Sequence, residues 1–143
     1  MRTVLPLVVV LLVAGACSSI RPVAINAGDI CEDCHQAILD TKLAAEIVEP
    51  NGLAMKFKTV SCMARFASRR QTEGAAMFVT DYQTGKLFPV HRAVFVRGEV
   101  DPGTRALDYV AFSDVRPAVE FGKAHGSSPV DWPQILQRVG AGN

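Results

Sequence analysis

Cys31, Cys34 and His35 form a C-x-x-C-H array inside the stretch GDICEDCHQAI, Gly28 to Ile38. Two thiols at this spacing can converge on one soft ion, close a small disulfide, or add to the two vinyl groups of a haem with His35 as axial ligand. The haem option needs a sixth ligand, for which Met55, Met63, Met77, His91 and His125 are available; no position singles one out. A third thiol, Cys62, lies 28 residues after Cys34. In the first turn of a predicted helix its thiolate is expected to be favoured by the helix N-terminus, and the hairpin before that helix can return it to the Cys31 loop. Three thiolates would make a site for a soft ion, Cu(I) being the natural guest in a periplasm, with His35 as a fourth donor. If Cys62 stays apart, it is a small buried apolar residue.

The compartment follows from the first residues. Arg2, the apolar run Leu5 to Val13 and the small residues Ala14, Gly15 and Ala16 have the layout of a secretory signal, too short to span a bilayer as a mature helix. The order Val-Ala-Gly-Ala-Cys then resembles a lipoprotein signal, so residues 1–16 are expected to be removed and Cys17 to be acylated as the first mature residue. The mature chain of 127 residues carries 14 basic and 14 acidic side chains once Arg2 is gone. A neutral chain without a Lys/Arg stripe excludes nucleic acid as the expected partner. Setting Cys17 aside leaves three cysteines, and an odd number in an oxidising compartment means either one disulfide with a free thiol or a thiolate site. No Ser-His-Asp order, phosphate loop or paired acid motif is present, so no enzyme is expected.

The elements that must position these thiols can be read from the patterning. Residues 17–28 lack periodicity and read as a tether; the domain spans 29–139. Lys42 to Val48, a Glu-Pro-Asn-Gly turn and the alternation of Leu53, Met55 and Phe57 predict a hairpin. Ser61 is expected to cap a helix carrying Cys62, Phe66 and Ala67 on one side and ending at Arg69-Arg70, before a strand over Ala75 to Tyr82. The order then recurs: a strand over Val90 to Val100 that contains His91, a turn at Asp101-Pro102-Gly103, a strand over Leu107 to Phe112, and a helix capped at Ser113-Asp114 with Pro117 in its first turn and His125-Gly126 at its end. A short strand, Pro129 to Trp132, and a helical turn, Pro133 to Val139, close the chain. Asp81, Asp108 and Asp114 read as turn and cap residues. The expected fold is α+β, two tandem strand-strand-helix-strand units at about 40–82 and 88–132 packed as one compact domain.

A set of short strings in this order also resembles a known family. D-x-C-x-x-C-x-x-x-I from Asp29, A-A-E-I-V before the first turn, M-K-F before Cys62, then F-V-T-D-Y, A-V-F-V-R-G, V-A-F and A-V-E-F-G-K-A-H-G resemble the nitrous oxide reductase accessory proteins, the NosL-like lipoproteins, from about Asp29 to Leu136. The resemblance implies a lipid-anchored Cu(I)-binding protein on the periplasmic face of a bacterial membrane, delivering copper to nitrous oxide reductase during its maturation. It also implies a fold of two strand-strand-helix-strand units related to organomercurial lyase. Cys31 and Cys34 match the family's cysteine positions. Where the family typically has a thioether, two residues after the second cysteine, this chain has Gln36, a poor Cu(I) ligand, preceded by His35. Three outcomes stay open: His35 replaces the thioether, Cys62 replaces it, or the loop carries haem c on Cys31, Cys34 and His35 in an electron-transfer lipoprotein.

Overall fold

The computed structural model describes residues 19–141, so the expected signal segment 1–16 and Cys17 lie outside the described residues. Among the described residues no helix is long and apolar enough to cross a membrane. Strand β1 (Ala45–Val48) is buried at all four positions because it is central, flanked antiparallel by β2 (Ala54–Phe57) and β3 (Ala76–Thr80); β4 (Leu87–Pro89) extends the sheet beyond β3. Helix α1 (Val60–Arg69) crosses from β2 to β3. Strands β5 (Val94–Asp101) and β6 (Ala106–Phe112) form a longer antiparallel ribbon, followed by α2 (Val115–His125) and α3 (Trp132–Ala141).

The strand-strand-helix-strand order therefore recurs, as the patterning predicts, in an α+β fold. In the first unit β3 returns antiparallel to β1; in the second the chain returns after α2 to pair Val130 with Phe95 of β5, also antiparallel. The second closing strand is thus a single bridge rather than the strand expected over Pro129 to Trp132. Its length is cut by the start of α3: the Asp131 carboxylate accepts from the Gln134 N–H at 3.0 Å, and the Gln134 side chain accepts from the Asp131 N–H at 2.9 Å. This reciprocal pair is a capping box, and it commits Trp132 to helix.

The β5–β6 ribbon separates two apolar layers by its period of two. Phe95, Tyr109 and Ala111 face the larger core, shared with β1, α1 and α3, where Phe57 meets Phe66 at 5.1 Å between ring centroids and Phe95 meets Trp132 at 6.1 Å. Val96, Val110 and Phe112 face the opposite way, onto Ala118 and Phe121 of α2. The two sheets are joined by a parallel bridge between Asp81 and Ala111.

Two further expectations are corrected. The strand expected from Val90 begins only at Val94, because Val90–Arg92 form a 3-10 turn after Pro89, whose missing N–H and fixed φ suit a helix start. His91 is therefore an exposed turn residue, not a strand residue. The cap of α1 is Thr59 rather than Ser61: Thr59 is extended and its hydroxyl accepts from the Cys62 N–H at 3.3 Å. Ser61, two residues further in, instead donates its hydroxyl and its N–H to Asp108 at 2.7 and 3.1 Å, which ties the start of α1 to β6.

Candidate metal centre

The C-x-x-C loop is a miniature hairpin. Gly28 N–H donates to the Ile38 carbonyl at 2.9 Å, Ile38 N–H to Asp29 at 2.7 Å and Cys31 N–H to Gln36 at 2.9 Å, around a bridge between Ile30 and Ala37. His35 N–H closes the turn onto the Cys31 carbonyl at 2.9 Å, with His35 itself at φ 57°, a left-handed conformation that His tolerates better than most residues. The hairpin is fastened along β2. Glu32 N–H donates to the Lys56 carbonyl at 2.8 Å, the Lys56 ammonium meets the Asp29 carboxylate at 2.6 Å, and the Lys58 ammonium donates to the Gln36 side chain at 2.9 Å. Since β2 leads directly to the Thr59 cap, the same strand that holds the loop also delivers Cys62 in the first turn of α1.

The result is one cluster: the sulphurs of Cys31, Cys34 and Cys62 all lie within 4.8 Å of one another, each as a free thiol. Cys31 and Cys62 are buried, Cys34 is half-buried, and Met63 beside Cys62 is committed to the core. Three sulphurs on two elements are a donor set for a soft, low-coordinate ion. A model of the family described as NosL matches residues 22–139, most of the chain. This chain belongs to the NosL family.

The crystal structure of the copper chaperone NosL from Shewanella denitrificans shares the fold, with a TM-score of 0.66 at 15% identity over 80% of this chain and 95% of that one. Among curated protein sequences none matches. In this NosL-family chain the expected donors separate. His35 is exposed and stands outside the sulphur cluster; it occupies the left-handed position of the turn that closes the hairpin. His91 and His125 are also outside it; His125 stacks on Phe121 with 3.9 Å between centroids and bonds the Phe121 carbonyl through Nδ1 at 2.9 Å. Gln36, in the thioether position, is used up as the acceptor for Lys58.

The three thiols differ electrostatically. For Cys31 burial opposes the charged form, but the backbone N–H groups of Cys34, Lys58 and Asp33 and the Cys34 thiol outweigh it and hold Cys31 below the ordinary thiol range. For Cys62 burial wins and pushes the thiol up to about 12, with the neighbouring Cys31 and Cys34 adding to the rise against the Thr59 hydroxyl and Arg65. The expectation that the helix N-terminus favours the Cys62 thiolate is therefore reversed: desolvation outweighs the end of the helix.

Patterning alone also missed the polar residues around the sulphurs. Arg65 donates to the Cys62 sulphur at 3.2 Å and to the Asp33 carboxylate at 3.0 Å through Nε; Arg69 bonds the other Asp33 oxygen. The signal available was the i, i+4 spacing of Arg65 and Arg69 on one helix face, with an acid between the two cysteines of the loop. Asp81, read as a turn residue, does more: beyond the Gln83 and Thr84 N–H groups it accepts from both the N–H and the hydroxyl of Ser113, joining the two units. Asp114 caps α2 as expected, accepting from Arg116 N–H at 2.9 Å. Beside the sulphurs a cavity of about 620 Å³ opens between the loop, the start of α1 and the β5–β6 turn; Cys34 and Cys62 both line it, with Lys58, Arg65, Leu107 and Asp108.

Proposed function

We propose that this chain is a non-enzymatic copper-carrying accessory protein that binds one Cu(I) on Cys31, Cys34 and Cys62 and hands it to a recipient. The observation that carries the reading is the convergence of three sulphurs within 4.8 Å in a NosL-family fold. Thiolates select Cu(I) over the hard divalent ions, and the low charge of Cu(I) suits a trigonal sulphur set. The Shewanella denitrificans relative is described as a copper chaperone, which supports the cargo but not the recipient. The recipient in this reading is nitrous oxide reductase, and the site of action is the periplasmic face of a bacterial membrane to which acylated Cys17 tethers the domain.

Release follows from the unequal burial of the ligands. Cys34 is half-buried and lines the open cavity, whereas Cys31 is fully covered. A donor sulphur or nitrogen of the recipient, entering through the cavity, forms a bond to Cu(I) as the bond to Cys34 breaks; Cys62 and then Cys31 are exchanged in turn, with no change in oxidation state. A closed four-ligand cage would resist such exchange.

The same geometry favours copper over the haem reading. Thioether bonds to two vinyl groups need both sulphurs at a porphyrin edge and His35 over its iron, whereas Cys31 has no exposed surface and His35 stands outside the sulphur cluster. Two measurements test the proposal: titration of the reduced mature protein with Cu(I) against a competing chelator, and absorption in the Soret region after export from a host with haem-attachment machinery. The proposal expects one tightly held Cu(I) and no Soret band. A covalent chromophore, or Cu(I) affinity unchanged in Cys31→Ser and Cys34→Ser, would overturn it.

A further inference from the structure

We infer that Arg65, seated by Asp33, is a positioning residue that holds the Cys62 sulphur against the Cys31–Cys34 pair and so makes the copper site three-coordinate. The inference rests on the copper reading above for its cargo, but on separate atoms for its geometry. Asp33 sits between the two cysteines of the loop, with its side chain only 5% exposed, and both its oxygens are taken: Oδ2 by Arg65 at 2.8 Å, Oδ1 by Arg69. The second Nη of Arg65 is the one that also reaches Cys62 Sγ at 3.2 Å. One guanidinium therefore touches the loop and the helix sulphur at once, and a change in either element is transmitted to the other through a rigid planar fork.

Charge points the same way. Cu(I) on three thiolates leaves a net charge of −2, and the permanently charged guanidinium beside Cys62 offsets part of it. Arg69 lacks this contact with sulphur, so it anchors the loop but does not address the third ligand. The equivalent place in the second unit makes the contrast explicit: six residues after its cap α1 carries Arg65, while α2 carries Glu120.

Two probe ions keep this claim separable from the copper function. The full mature protein and its Arg65→Gln, Asp33→Asn, Arg69→Gln and Cys62→Ser variants are loaded with Cu(I), and separately with Cd(II), whose ¹¹³Cd chemical shift reports the number of sulphur ligands. The unaltered protein and Arg69→Gln are expected to show three sulphurs. Arg65→Gln and Asp33→Asn are expected to show two, with Cu(I) affinity lowered by on the order of 10- to 100-fold, the range for loss of an orienting partner. Arg65→Gln combined with Cys62→Ser is expected to bind no more weakly than Cys62→Ser alone. Three sulphurs retained in Arg65→Gln, two in the unaltered protein, or an equal loss in Arg69→Gln would overturn the positioning role. Three Cd(II)-bound sulphurs without uptake of Cu(I) would instead sink the copper function and leave Arg65's role standing, and Asp33→Asn serves as the readout if Arg65→Gln does not fold.

Discussion

Three residues after its cap, α1 carries Cys62, and at the same place α2 carries Pro117. The two helices hold matching positions in the strand-strand-helix-strand units, yet α1 buries Val60, Cys62, Met63, Ala64 and Phe66 while α2 buries only Ala118 and Gly122. The difference has a physical source in what covers each helix. Helix α1 lies under α3 and beside the C-x-x-C hairpin, which docks along β2; α2 lies on the outer face of the β5–β6 ribbon, where among the described residues nothing corresponding to the hairpin docks. A chain with one architecture used twice has placed its chemistry in the unit that the N-terminal hairpin completes and its scaffolding in the other.

The comparison breaks most severely at the loop sulphurs. Cys31→Ser or Cys34→Ser should weaken Cu(I) binding by roughly 100-fold or more in a chelator competition, since each removes one of only three soft donors. Damage to the second unit should act on stability instead. In Gly122→Ala the added Cβ would lie 2.4 Å from the Ser127 carbonyl oxygen, a backbone atom that cannot move aside alone, so unfolding in denaturant should show a loss of about 1–3 kcal/mol with Cu(I) affinity of the folded protein unchanged. An equal fall in affinity would mean that the two units are not separable in this way.

Acid-base behaviour sharpens the contrast further. With Cys62 pushed up to about 12, its proton is present at every physiological pH and must be displaced by the ion. Protons and Cu(I) then compete, so apparent affinity should rise by about tenfold per pH unit for that thiol between pH 6 and 8; in Cys62→Ser the slope should drop by one proton. Glu46 on β1 gives a stability effect of its own. Burial raises its carboxyl above the ordinary 4.5 against the Val23 N–H and Lys56, and its Oε2 has no hydrogen-bond partner among the described residues. A group raised in this way stabilises the fold below its unfolded value and loses that contribution as pH rises through the folded one. Glu46→Gln should therefore gain stability relative to the parent chain as pH rises from 4.5, seen as a thermal midpoint that falls less with pH. The smallest effect is expected at Pro117→Cys, which puts a thiol at the α2 counterpart of Cys62 and should add no second Cu(I) equivalent.

Much of the fold was legible because the local signals agree with the tertiary ones. The Asp114 cap and the Gly126 stop at φ 64° are local features and survive intact. The errors fall where two nearby residues compete for one role. Thr59 and Ser61 are both good caps, and Asp108, 47 residues away, takes Ser61 out of contention. At the site, the spacing of Cys31 and Cys34 was visible, but the approach of Cys62 depends on a hairpin docking on the edge of β2, which no local pattern encodes. His35 shows the converse: its place in C-x-x-C-H made it a candidate donor, and it stands exposed, outside the sulphur cluster.

Whether three sulphurs from two elements hold one Cu(I) is read from X-ray absorption at the copper edge of the Cu(I)-loaded mature protein. A three-coordinate Cu(I) with three sulphur neighbours is expected in the unaltered chain, and two sulphur neighbours in Cys62→Ser. A first shell containing nitrogen from His35 with only two sulphurs, unchanged by Cys62→Ser, would contradict it.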